Sequence, residues 1–176
     1  IREAYHIATR IWEREAGLAL EFVPRILSQQ DRDPDSPTYG SFDRNHWHYK
    51  IRDFSSAVLQ QSMLSLALLH STRLSNSPYE ANDRIRDWAI AGLQFWVKIQ
   101  HSDGTFDEYY PWEHGYIPTS FSLFSATETC RLLDIKDSDV YDACIRAGRY
   151  LAEHYEHEAL NQEAASIPSL FNLYLL

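Results

Sequence analysis

The chain reads as an all-α protein, an array of helical hairpins, and its internal repeats point there. The dipeptide Ala-Gly recurs at Ala16-Gly17, Ala91-Gly92 and Ala147-Gly148, each time opening a helical stretch. A Gly-x-Phe-Asp turn occurs twice, as Gly40-Ser41-Phe42-Asp43 and Gly104-Thr105-Phe106-Asp107. A small polar pair then leads into an apolar helix, from Ser55-Ser56 to Leu68-Leu69 and from Thr119-Ser120 to Leu132-Leu133. In a third unit Ile167-Pro168-Ser169 repeats the helix entry Ile117-Pro118-Thr119. A period of about 60 residues built of two helices and a loop is the mark of a helical repeat protein.

The elements follow from periodicity and breakers. Ile7, Ile11, Leu18, Phe22 and Ile26 stand at helical spacing and predict a first helix over 2–28, kinked or shortened by Pro24. A long loop over 30–50 opens on Asp31-Arg32-Asp33-Pro34-Asp35-Ser36-Pro37. Val58, Leu59, Met63, Leu66 and Leu69 predict a second helix over 53–74, which Ser75-Asn76-Ser77-Pro78 ends. Asn82 or Asp83 caps a third helix, carrying Ile85, Trp88, Ala89, Leu93, Trp96 and Ile99. A second long loop covers 101–116. A fourth helix has Pro118 in its first turn and runs to Leu133, where Pro is tolerated because its missing N–H is not needed. Asp137-Ser138-Asp139 caps a fifth helix reaching Tyr155, and a sixth starts near Pro168. The three repeats fall at 2–74, 82–133 and 138–176 of a single domain spanning 1–176. Both chain ends look cut, so the sequence is expected to be part of a larger ring.

Bulk composition narrows the function. The net charge of −9 disfavours general affinity for nucleic acid or anionic membranes. No apolar run approaches the roughly 18 residues needed to span a bilayer. Cys130 and Cys144 are read as two buried thiols rather than a disulfide pair. No cofactor motif is present: a phosphate-cradling Gly-rich loop, a Gly-x-Ser-x-Gly elbow and a CxxC pair are all missing. His154, His157 and Glu158 share a helix face but lack further ligand spacing, so no metal site is assigned.

The segment from Ala91 through Gln100-His101-Ser102-Asp103-Gly104-Thr105-Phe106 resembles the QW-type repeat of the α/α-toroid superfamily. There the Gln side chain ties a helix end to the next turn, Gly supplies a positive φ, and the aromatic plugs the seam between hairpins. The superfamily holds terpenoid cyclases, protein prenyltransferases and six-hairpin carbohydrate-active enzymes. The resemblance covers about two and a half repeats, because the first copy carries a longer insertion and the third lacks the Gly-x-Phe turn. The Asp-x-Asp-Asp motif of squalene-type cyclases is missing, and no Cys stands on a loop for a prenyltransferase zinc site. The stretch Arg44-Asn45-His46-Trp47-His48-Tyr49-Lys50-Ile51-Arg52 is similar in kind to the Asn-His rim of heparinase-type and alginate-lyase-type toroids. The resemblance therefore implies a polysaccharide lyase or glycoside hydrolase.

In an up-down array the long loops emerge at one end, so their His and aromatic residues are expected to share a rim. A uronide lyase must neutralise a carboxylate, remove the C5 proton and protonate the leaving oxygen. Asn45 and Arg44 suit the first task, His46 or His48 the second and Tyr49 the third, with Trp47, Lys50 and Arg52 in the same anion-binding loop. The second loop places Asp107, Glu108 and His114 among Tyr109, Tyr110, Trp112 and Tyr116, where rings can stack on sugar faces and carboxylates can serve as acid and base. Phe106 is read as a hairpin plug, and Asp107 has the alternative of capping a turn. The rival reading is a non-catalytic scaffold that binds a glycan or protein on the same rim; an isoprenoid cyclase or transferase ranks lower. The partner expected is a polysaccharide or oligosaccharide. Which glycan, the compartment and the oligomeric state are left open.

Overall fold

The computed structural model describes residues 2–43, 54–74 and 76–176. The described residues are helical, with α1 Arg2–Glu21, α2 Val23–Gln29, α3 Ala57–Gln60, α4 Ser62–Ser71, α5 Asp83–Lys98, α6 Tyr116–Leu133, α7 Ser138–Glu153, α8 Leu160–Ala164 and α9 Ser166–Leu175. No strand occurs among them; one isolated antiparallel bridge joins Phe106 to Gly115. The first expected helix is two, because the chain breaks at Phe22 and restarts with Pro24 in the first turn of α2. The second is also interrupted, at Gln61.

The ends that the sequence marked behave as capping chemistry requires. Asn82 accepts from the N–H groups of Arg84 and Ile85 at the start of α5, and Asp137 accepts from Asp139 and Val140 at the start of α7. Pro118 and Pro168 both occupy the third position of their helices, and the hydroxyls that follow repeat as well. Thr119 Oγ1 donates to Gly115 O at 2.7 Å, and Ser169 Oγ to Ala165 O at 3.0 Å.

Packing sets two rows of helices. In one, α3 and α4 lie against α6, and α6 against α9; in the other, α5 packs on α4 and α7 on both α6 and α9, with α5 touching α7. The row of α4, α6 and α9 is rich in small and hydroxyl residues, which allow close approach. Thr119, Ser120, Ser122, Ser125, Thr127 and Thr129 are all buried on α6. Several of these hydroxyls bond back to their own helix, as Thr127 does to Leu123 O at 2.8 Å. Between the rows lie Met63, Leu66, Leu93, Trp96, Phe106, Leu123, Val140 and Ala147. Cys130 and Cys144 are free buried thiols, and burial pushes the Cys130 thiol up to about 12, so it stays protonated.

What joins one helix pair to the next is a clasp used twice. Gln100 Nε2 donates to Gly104 O at 3.1 Å and to Ala143 O, on α7, at 2.9 Å. Gln30 Nε2 donates to Gly40 O at 3.3 Å and to Trp88 O, on α5, at 2.8 Å. The backbone repeats too: His101 N–H reaches Thr105 O and Gly104 N–H reaches His101 O, as Asp31 N–H reaches Ser41 O and Gly40 N–H reaches Asp31 O. The longer first loop thus carries residues 32–39 where the second carries only Ser102-Asp103, inside the same backbone clasp.

Each clasp needs its glycine. Gly40 and Gly104 have φ of 90° and 92°, and an added Cβ would come within 2.0 Å of Ala91 O and 2.5 Å of Arg146 O. Phe106 then stacks on Trp96 at 4.7 Å, while Phe42 packs against Gly92 so closely that a Cβ there would meet its ring at 2.7 Å.

This register corrects the Ala-Gly repeat. All three dipeptides lie inside helices, and their glycines have different surroundings: Gly92 meets Phe42, Gly148 meets Leu173, and Gly17 faces open space. Because Gly40 seats on Ala91 and Gly104 on Arg146, the counterpart of Ala91-Gly92 is Arg146-Ala147, one residue before the matching letters.

Gly104→Ala is expected to destabilise the fold by at least about 2 kcal/mol, combining left-handed strain with the clash on Arg146. Gln100→Ala should cost about 1–3 kcal/mol for two lost donors to buried carbonyls. Urea unfolding measures both; a Gly104→Ala protein as stable as its parent would refute the clasp.

Candidate functional site

The loop over 99–115 joins α5 to α6 and is built outward from the second clasp. His101 belongs to the clasp through its backbone, and its side chain lies against Asp107, with Nε2 at 2.8 Å from Oδ1. Asp107 also accepts the N–H groups of Trp112 at 3.0 Å, Glu113 at 2.8 Å and His114 at 3.3 Å. Those amides converge because Trp112 and His114 have left-handed backbones, φ 63° and 51°, which large side chains adopt only when held. The carboxylate of Asp107 is what holds them. Burial alone would raise its pKa. The hydrogen bond from His101 and the amides of Trp112 and His114 outweigh that, so it lies below the ordinary 3.8.

A second carboxylate works the same way. Asp103 accepts from Thr105 N–H at 3.0 Å and Thr105 Oγ1 at 2.6 Å, and His114 Nδ1 lies 2.6 Å from its other oxygen. Its pKa is lowered although burial opposes this, because Thr105 and His114 favour the ionised form. Each aspartate thus carries one imidazole, and the rings of His101 and His114 stack at 4.2 Å. Glu113 turns inward and accepts the amides of Glu108 at 2.6 Å and Tyr109 at 3.0 Å.

On this frame the outer aromatics stand out toward solvent. Tyr109, Tyr110 and Trp112 are 67%, 70% and 77% exposed. The Trp112 ring lies 5.3 Å from that of His101. Beneath it a cleft of about 490 Å³ is lined by Phe54, Ser55, Ile99, His101, Asp107, Pro111 and Trp112. Phe54 and Ser55 end the first loop, and Ala57 N–H donates to Asp107 O at 2.9 Å, so described parts of two loops meet at this cleft. The buried Ser55 hydroxyl finds no partner among the described residues.

Of the second-loop candidates, Asp107, Glu108, Tyr109, Tyr110, Trp112 and His114 are gathered around this cleft or its rim. Tyr116 is different: it is buried in the first turn of α6, where burial raises its phenol pKa, a neighbouring Ser166 opposes this and Glu163 adds to it. The first-loop candidates Arg44, Asn45, His46, Trp47, His48, Tyr49, Lys50 and Arg52 lie outside the described residues. His101, Thr105 and Ser55 are the members that the sequence pattern did not single out. His101 stands inside the turn motif, whose residues have a sufficient structural reason to exist, and only its spacing to Asp107 hinted at more.

The proposed face of His154, His157 and Glu158 does not form, since α7 ends at Glu153 and His154 folds back on Tyr150. Among the described residues no group of three or more His, Cys, Asp or Glu side chains is placed to hold a metal ion, and no helix is long and apolar enough to cross a membrane. Comparison with known proteins returns no match: no family model, no curated protein and no solved structure matches the chain.

Because the folded pKa of Asp107 lies below 3.8, its contribution is complete above that value and is lost as pH falls through the folded pKa. Asp107→Asn should therefore cost about 2–3 kcal/mol near pH 7, and the gap to the parent should narrow below about pH 3. Thermal unfolding of both proteins against pH decides it; a gap independent of pH would mean that the charge of Asp107 does not hold the turn.

Proposed function

We propose that the chain is an arc of an α/α toroid from a carbohydrate-active protein, acting on a polysaccharide at the rim where its long loops meet. The observation that carries this reading is Trp112. An indole 77% exposed is held in a strained backbone over a cleft whose floor is the His101–Asp107 pair. Rings displayed this way offer the flat apolar face on which pyranose C–H groups pack. The row of helices repeating through the clasp supports the toroid, since each pair is locked to the next by the same bonds.

Between the two reactions, the carboxylates favour elimination. A glycosidase needs one acid with a raised pKa beside a second carboxylate. Asp103 and Asp107 are instead lowered, and Glu113 is occupied by two amides. A lyase asks for a base. The Asp107 carboxylate selects the imidazole tautomer with its proton on Nε2, which leaves Nδ1 of His101 as the basic nitrogen. In the elimination that nitrogen takes the C5 proton, the electrons of the C–H bond form the C4=C5 double bond, and the bond from C4 to the bridging oxygen breaks. The leaving oxygen takes its proton from an acid. The hydrogen bond and charge of Glu108 raise the pKa of Tyr109, which keeps that phenol protonated. Asn45, Arg44, His46, His48 and Tyr49 offer chemistry of the same kind in the first loop.

A binding scaffold is the second reading, because the hydrogen bonds of Asp107 and His114 account for those residues by loop architecture alone.

Incubation with uronate polysaccharides, following both unsaturated product and reducing ends, tests the proposal. Unsaturated product is expected, reduced by at least about a hundredfold in His101→Ala with glycan binding retained. Trp112→Ala should weaken binding by about tenfold or more. Reducing ends without unsaturation would reverse the choice of reaction. Intact substrates with Trp112-dependent binding would establish the scaffold.

A further inference from the structure

On the far side of the histidine stack a second cleft opens, and none of its distinguishing residues belongs to the Trp112 site. It measures about 350 Å³ and is lined by Ser102, Asp103, Arg146, Arg149, Tyr150, Glu153 and His154. The two clefts are neighbours along the loop, since His101 lines the first and Ser102 and Asp103 line the second. His114 stands between them, stacked on His101 and bonded to Asp103, and Tyr150 Oη donates to His114 O at 3.3 Å. Tyr150 in turn stacks on His154 at 4.2 Å, giving the second cleft an aromatic wall of its own.

Its charge is what sets it apart. Arg146 directs Nε and Nη2 to Gln100 Oε1, at 3.1 and 2.6 Å. That acceptor is neutral, so the clasp orients the guanidinium without cancelling its charge. Arg149, one turn along α7, is exposed and faces the same cleft. Among the described residues neither arginine is ion-paired with a carboxylate. Two acids also line the cleft: Asp103 is already occupied by Thr105 and His114, and Glu153, one turn beyond Arg149, makes no ion pair with either arginine. Cations near the end of a helix complement its dipole, which accounts for one basic residue there. It does not account for two guanidiniums meeting a Tyr–His stack at the edge of a sugar-sized cleft. Guanidinium recognises planar or multi-oxygen anions through paired hydrogen bonds, whereas neutral sugars need no such partner.

We infer that this second cleft is an anion subsite, taking the carboxylate or sulfate substituent of a saccharide whose neighbouring unit lies on Trp112. The inference rests on the carbohydrate reading and adds to it a separate contact for an acidic substituent. Arg149 supplies the main contact, Arg146 a second from a guanidinium fixed by Gln100, and His154 a third when protonated.

Calorimetric titration of the whole chain with three probes tests it: a galacturonate oligosaccharide, a sulfated galactan oligosaccharide and a neutral cello-oligosaccharide. The parent is expected to bind at least one acidic probe more tightly than the neutral one, with affinity falling as salt rises. The tighter of the two acidic probes identifies the substituent as carboxylate or sulfate. Arg149→Ala should weaken acidic binding by about tenfold or more and leave the neutral probe unchanged, while Arg149→Lys should restore only part. Since Arg149 is exposed, unchanged far-ultraviolet circular dichroism is expected for both variants. Equal binding of acidic and neutral probes, weakened by Trp112→Ala but not by Arg149→Ala, would overturn the subsite and leave the carbohydrate reading standing. Failure of all three probes to bind would overturn both.

Discussion

The contact on which the rest depends is a single amide group reaching two carbonyls. Gln100 Nε2 satisfies Gly104 O in its own turn and Ala143 O on α7, and so fixes the loop and the next helix pair together. Each such hydrogen bond contributes on the order of 0.5–1.5 kcal/mol, so replacing the glutamine by an apolar residue of similar size loses stability on both sides. Its oxygen has a further use, since it accepts Arg146 and thereby orients a guanidinium at the second cleft. The glycine completes the device. With a left-handed backbone and no Cβ, Gly104 lets the turn lie directly on Arg146 O, and Phe106 follows into the space beside Trp96.

The same device at Gln30 and Gly40 shows how the fold accommodates variation. Residues 32–39 enlarge the first turn without disturbing the bonds that flank it, because the insertion falls between the two halves of the clasp. The insertion is self-supporting: Asp31 accepts Thr38 Oγ1 at 2.7 Å and Asp33 N–H at 3.1 Å, and Arg32 lies over the Trp88 ring at 4.7 Å. The position held by Asp31 in the first turn is held by His101 in the second. A shared backbone frame therefore carries a structural carboxylate in one copy and an imidazole beside a cleft in the other.

Most of the helical content was legible because helix signals are local. Asn82 and Asp137 cap where capping chemistry requires, and the Gly-x-Phe turn announced both the positive φ and the buried ring. The breaks at Phe22 and Gln61 were less legible: Pro24 gave warning of the first, and nothing in the apolar pattern marked the second. The Ala-Gly repeat misled because two letters recur by chance more readily than a set of contacts does. Gly17, Gly92 and Gly148 share a spelling but not an environment. For the candidate site, the composition of the second loop drew attention to a segment that borders a cleft, yet not to its internal division. Asp107 reads as an available carboxylate until the amides of 112, 113 and 114 are seen to converge on it, and Glu113 is likewise taken by those of 108 and 109. Such convergence depends on φ angles at Trp112 and His114 that no residue preference forecasts. Arg146, Arg149 and Tyr150 escaped notice for another reason: on α7 they read as the solvent face of an amphipathic helix, and only the fold brings the loop against them.

The loop divides into an inner part that the fold must have and an outer part that it need not. His101, Gly104, Thr105 and Phe106 are bound into the clasp, so their positions follow from the stability of the whole array. Tyr109, Tyr110 and Trp112 bury little and stabilise nothing comparable, yet strain is accepted to display one of them. Strain of that kind costs on the order of 1–3 kcal/mol at each residue and persists only where surrounding bonds over-determine it. Asp107 provides those bonds while its other face holds His101, so the group that fixes the aromatic platform also fixes the imidazole beside it. Mutual placement of the exposed indole and the imidazole is thereby set by one carboxylate anchored to a rigid clasp, which is the preorganisation that the proposed carbohydrate site would require.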